Sequence, residues 1–142
     1  MMKFKKIGIL GGLGPEETAR LYTQIIEILQ KEVGLKSDSD FPEMIILNLP
    51  VPHMIENESN GDELLKRLVY GAKKIENAGA EFIAIPCNTV SVFIPEIRKK
   101  VKIPVLEIAR ETASEIKKLG AKKVALLATT MTVKMEIYDK AL

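Results

Sequence analysis

The chain has 142 residues, 46% of them hydrophobic and 28% charged, with 21 basic side chains against 19 acidic ones for a net charge of +2. A chain of this length buries roughly 68–70% of its unfolded surface, so it forms a core without disulfide or metal staples, and its composition excludes a disordered segment. The near balance of charge excludes a dedicated binder of nucleic acid or of anionic membranes, and no apolar run approaches the roughly 18–20 residues that cross a bilayer.

Lys3–Lys6 followed by Ile7-Gly8-Ile9-Leu10 faintly mimics a secretory leader. Gly11, Gly12 and Gly14 break that stretch and Pro15-Glu16-Glu17 come next, so it reads as a first strand, Ile7–Leu10, and its turn. Pro15 at a first helical position and two glutamates beside the positive helix end start a helix. Its apolar stripe is Ala19, Tyr22, Ile26, Leu29 and Val33. Met44–Leu49 is a second strand, and about Asp62 to Ala78 a second helix, with Leu65, Leu68, Val69, Ala72 and Ile75 inward and Gly79 closing it. Phe82–Ile85 and Val105–Ile108 are further strands, and a helix runs from about Ala109 to Leu119 and ends at Gly120. Val124–Leu127 reads as a fresh strand, Thr129-Thr130-Met131-Thr132 as a turn, and a helix begins near Val133. The chain stops at Leu142, so this last βα unit reads as incomplete, with Met135 and Tyr138 expected to be exposed.

Near-continuous apolar strands alternating with helices specify an α/β fold, a three-layer doubly wound parallel sheet with right-handed crossovers. Ligands of such sheets sit beyond the carboxyl ends of the strands, which singles out the loops Gly11–Pro15, Pro50–Gly61, Pro86–Thr89 and Ala128–Thr132. In the first, Gly11-Gly12-Leu13-Gly14-Pro15 serves either as a tight βα turn or as a cradle whose amides, converging with those of Asn88 and Thr89, hold an anion. Counted from Gly12, the third position of a dinucleotide fingerprint is Glu17, and the Gly-Lys-Ser/Thr of a phosphate-binding loop is absent, so nucleotide binding is disfavoured.

Pro86-Cys87-Asn88-Thr89 is the sharper signal, because it places a thiol and two hydrogen-bonding side chains at the end of the third strand. A lone cysteine in an apolar strand is more often core than catalytic, and Asn88 and Thr89 equally suit a helix cap. A helix start after Cys87 would favour its thiolate. His53, the single histidine, suits a solvated loop or a partner to Cys87. No cluster of His, Cys and carboxylates has metal-ligand spacing. A single cysteine excludes an internal disulfide framework and points to a reducing compartment, so a soluble cytoplasmic protein is expected.

Ile7-Gly8-Ile9-Leu10-Gly11-Gly12-Leu13-Gly14-Pro15-Glu16-Glu17-Thr18, Pro86-Cys87-Asn88-Thr89 and Leu126-Leu127-Ala128-Thr129-Thr130, in that order, resemble the aspartate/glutamate racemase family, and within it the aspartate racemase branch. The resemblance implies a cofactor-independent amino-acid racemase with two similar α/β lobes, the substrate between them and one cysteine from each. One thiolate removes the α-proton and the opposite thiol returns a proton to the other face. Carried onto this chain, Cys87 is the acid/base of the first lobe, Asn88 and Thr89 bind a substrate carboxylate, and Gly12, Leu13, Thr129 and Thr130 surround the same pocket. Residues 1–120 then form the first lobe and residues 121–142 the opening βα unit of a second. The implied ligand is a small acidic amino acid and the implied assembly a homodimer. Three positions differ from the family pattern: the second cysteine is absent, Ser91 stands where histidine is frequent, and His53-Met54 occupy the loop that carries an arginine in the aspartate branch. The chain by itself is therefore expected to have little or no racemase activity. The rival reading is a single-lobe protein that binds an acidic amino acid or related metabolite without turning it over.

Overall fold

The computed structural model describes residues 3–51 and 61–142. Three strands, β1 (Ile7–Gly11), β2 (Met44–Asn48) and β3 (Phe82–Ala84), form a parallel sheet in the order β2-β1-β3. The register pairs Ile7 with Met44 on one side and with Phe82 on the other, so β1 is the central strand. That position explains its composition: Gly8, Ile9, Leu10 and Gly11 are all buried, as a strand covered on both faces must be. At the amino end Lys6 contacts Glu43 at 2.6 Å, and this carboxylate raises the lysine pKa above its usual 10.5.

Helix α1 (Pro15–Ile28) lies on one face and α2 (Gly61–Asn77) on the other. Gly11 faces Thr18 of α1, while Gly8 and Leu10 face Ile75 and Gly71 of α2. Small residues at 8, 11 and 71 let helix and strand approach closely; a β-carbon at Gly71 would meet the Leu10 side chain at 2.6 Å. The main core is on the α2 face, where Leu10, Leu64, Leu68, Ile75, Ile83 and Ile97 are at most 1% exposed. Burial of each such side chain stabilises the fold by about 1.5–3 kcal/mol. Short α3 (Ile94–Arg98) packs against α2, and α4 (Ile108–Lys118) buries Ala109 and Ala113.

Several expectations are corrected. The first helix is α-helical only to Ile28 and continues as one π-turn, Leu29–Val33, closed by Gly34 at φ 79°. Val105–Ile108 is not a strand: Val105 alone bridges Ile83, and Ile108 already begins α4. Arg98 fixes that bridge, its Nε and Nη2 donating to the Val105 carbonyl at 3.1 and 2.6 Å and its Nη1 to Glu107 at 3.2 Å. Val124–Leu127 forms no strand either; it pairs with no strand among the described residues, and Leu127 is 98% exposed. The last helix, α5, begins at Thr130 rather than near Val133 and ends at Lys134.

Candidate active site

The strand order creates the site. Leaving β1, the chain crosses one face by α1 to reach β2; leaving β2, it crosses the other face by α2 to reach β3. The loops after β1 and β3 therefore diverge to opposite faces, and a crevice opens between them at the carboxyl edge. A cleft of about 590 Å³ lies there, lined by Leu13, Cys87, Asn88, Thr89 and Thr129 together with side chains of α1 and α4.

Cys87 owes its place to a tight reversal. Its backbone N–H donates to the Ile85 carbonyl at 2.8 Å, which turns the chain out of the sheet line just past β3 and leaves the free thiol half-buried in the cleft. A five-residue 3-10 turn, Thr89–Phe93, comes next and leads into the short α3. The helix start expected after Cys87 is therefore a 3-10 turn rather than the first turn of an α-helix. Asn88 does not cap this turn with its side chain. Its Oδ1 instead accepts a hydrogen bond from the Tyr138 hydroxyl at 2.7 Å, so the capping alternative for Asn88 is removed.

The glycine-rich loop is a closed turn at its first amide. The Gly12 N–H donates to Thr18 Oγ1 at 3.0 Å, and that hydroxyl donates to the Gly14 carbonyl at 3.1 Å. Gly12 has φ 84°, and a β-carbon there would meet the Leu49 backbone at 2.6 Å, so glycine is required by both dihedral and approach. Gly12 does not line the cleft, and its amide is engaged by Thr18 rather than turned to an anion. Leu13 does line it.

On the opposite wall Thr129 caps α5, its side chain accepting from the Thr132 amide at 3.4 Å. Thr130, the first residue of that helix, is exposed and does not line the cleft. Thr132 lines it instead, 2% exposed, with its hydroxyl 3.0 Å from that of Thr129. The Thr-x-x-Thr spacing of a capped helix start was the available signal for this residue. Met135 and Tyr138 are partly buried rather than exposed, because the chain folds back after α5. Glu136, at φ 53°, makes that reversal. The charged residues lining the cleft, among those described, are Glu17 and Glu111. His53 lies outside the described residues. Ser91 is buried in the 3-10 turn, its hydroxyl without a partner among the described residues.

Residues 10–142 match the family model for Asp/Glu/hydantoin racemases. The chain belongs to this family. It is 40% identical over 136 residues to the broad specificity amino-acid racemase RacX of Bacillus subtilis (strain 168), covering 96% of this chain and 60% of that protein. Among solved structures it superposes on an aspartate racemase homologue from Pyrococcus horikoshii OT3 with a TM-score of 0.83, at 35% identity, covering 96% of this chain and 59% of that one. For the Picrophilus torridus aspartate racemase the TM-score is also 0.83, at 30% identity and covering 97% and 58%. The chain thus spans about three fifths of each of these three relatives, and its α/β fold is that of a single lobe of the racemase architecture.

Proposed function

We propose that this chain is the first lobe of a cofactor-independent amino-acid racemase in which Cys87 exchanges the α-proton on one face of the substrate. The observation that carries this reading is the meeting of Cys87, Asn88, Thr89 and Thr129 in one cleft at the switch point of the sheet. An amino-acid α-proton is very weakly acidic, so its removal needs a positioned base and donors for the developing enolate charge. The Cys87 thiolate takes the proton and becomes a thiol. The amide of Asn88 and the hydroxyl of Thr89 donate to the α-carboxylate as negative charge spreads onto it.

Inversion needs a second acid on the opposite face. The chain has one cysteine, and the relatives' additional length supplies that second wall on this reading. Residues 121–142 would open the second lobe, a role that explains why Val124, Leu126 and Leu127 have strand composition yet stand exposed. A small amino acid is the substrate class, with aspartate and glutamate first to test. Glu17 and Glu111 make their end of the cleft unfavourable for a side-chain carboxylate, which would have to lie away from them.

A base on one face alone has a stereochemical signature. It removes the proton, exchanges it with solvent and returns a deuteron to the face it came from. In heavy water the 142-residue chain should therefore label the α-carbon of L-aspartate or L-glutamate with retention and with little or no inversion, and Cys87→Ala should lower the labelling about 10²–10⁴-fold. Labelling unaffected by Cys87→Ala would remove Cys87 from the chemistry. Binding without any labelling would favour a single-lobe binding protein.

A further inference from the structure

We propose that Tyr138 is a positioning residue of this site, holding the Asn88 side chain so that its amide nitrogen, not its carbonyl, faces the cleft. The inference rests on the reading of the cleft as a carboxylate site. Its physical basis is the hydrogen bond from the Tyr138 hydroxyl to Asn88 Oδ1 at 2.7 Å, spanning fifty positions of sequence. An asparagine amide is nearly symmetric in shape, and free rotation would present a carbonyl to the cleft as readily as a donor. A carbonyl facing a carboxylate is repulsive, whereas an N–H donates to it.

The phenol breaks the symmetry. With Oδ1 accepting from Tyr138, the Nδ2 hydrogens lie on the opposite branch of the amide, and among the described residues Nδ2 has no protein acceptor. The flipped amide would instead donate Nδ2–H to the phenolic oxygen, a weaker contact, because a phenol donates more strongly than it accepts. A bound carboxylate then completes a chain running from the Tyr138 hydroxyl through the Asn88 amide to the carboxylate oxygen, every donor pointing the same way, and such chains reinforce one another.

The backbone is arranged to deliver the phenol. Thr129 caps α5, buried Thr132 fixes its first turn, and Glu136 adopts a left-handed conformation that returns the chain toward the lobe. Ile137 is buried beside Tyr138, and the amides of Ala141 and Leu142 both donate to the Tyr138 carbonyl at 3.0 Å. A left-handed backbone is strained for a residue with a β-carbon, and these contacts hold the reversal at Glu136 in place.

Tyr138→Phe removes one oxygen atom and leaves the ring. Titration of the 142-residue protein with L-aspartate and L-glutamate, followed by the ¹⁵N signals of the Asn88 side chain, should show affinity weakened about 3–10-fold. Combined with Asn88→Ala, the same substitution should have no further effect. Wild-type affinity in Tyr138→Phe, or an equal loss in the Asn88→Ala background, would overturn the proposal. A ligand-free measurement separates this proposal from the reading of the cleft. In the wild-type protein the Tyr138 hydroxyl proton should be protected from exchange and the two Asn88 amide protons distinct, converging toward free-amide positions in Tyr138→Phe. If neither amino acid binds while these signals behave as stated, the carboxylate reading fails and the positioning contact stands. A hydroxyl proton exchanging as fast as that of free tyrosine overturns the contact itself, and needs no variant.

Discussion

Thr18→Val tests how the glycine-rich loop is held. The substitution conserves shape, so it opens no cavity, but it deletes a hydroxyl that accepts from the Gly12 amide at 3.0 Å and donates to the Gly14 carbonyl at 3.1 Å. Thr18 is buried at 6% exposure, so water replaces neither partner easily. Two such hydrogen bonds contribute about 1 kcal/mol each, and a donor left without an acceptor costs somewhat more. The expected loss is about 2–3 kcal/mol, which for a domain of this size lowers the melting temperature by roughly 6–12 °C. Thr18→Ser keeps both bonds and removes one methyl, for a loss of about 0.8 kcal/mol. Thermal or urea unfolding of the two variants, with hydrogen exchange at the Gly12 amide, makes the comparison. A Thr18→Val protein as stable as Thr18→Ser, or a Gly12 amide that keeps its protection without the hydroxyl, would refute the account of this loop as a turn closed by its own helix.

Two further outcomes are expected. Arg98→Ala should cost about 1–2 kcal/mol in urea unfolding, since it leaves the Val105 carbonyl without the forked guanidinium that spans it, and Arg98→Lys should recover little of this because one ammonium cannot reproduce the fork. Leu127→Ser should change stability by less than about 0.5 kcal/mol, as expected at a position 98% exposed, and a loss above 1 kcal/mol would show that the segment packs in solution.

The sequence made the central elements legible for a physical reason. A strand buried on both faces has to be apolar at successive positions, and Ile7–Leu10, Met44–Leu49 and Phe82–Ile85 each overlap an observed strand; Leu68, Ala72 and Ile75 of the α2 stripe are likewise buried in the core. The same signal misled at Val105–Ile108 and Val124–Leu127. Apolar composition states a need for burial, and it does not state whether hydrogen-bonding partners lie alongside. Val105 finds one bridge and a guanidinium; Leu127 finds nothing among the described residues. Glycine spacing revealed a turn after β1 but not the destination of its amides. That depended on Thr18, whose hydroxyl competes for the Gly12 N–H ahead of any ligand. Of the residues expected around the pocket, Leu13 and Thr129 line the cleft and Gly12 and Thr130 do not, while Thr132 lines it unforeseen.

The position of the cleft arises from connectivity more than from any motif. With β1 central, α1 and α2 must leave on opposite faces to reach strands on opposite sides, and the segments that follow β1 and β3 then part at the carboxyl edge. Leu13 and Cys87 meet there although far apart in sequence, each among the first residues free to turn after its strand. A polar tetrapeptide placed after β2 would have reached the same carboxyl edge, but on the far side of β1 from this crevice. The same four residues, Pro86-Cys87-Asn88-Thr89, gain a chemical setting because β3 is the strand on the far side of the switch. The thiol is therefore presented by topology, and the hydrogen bond from Tyr138 governs how its neighbour Asn88 is presented beside it.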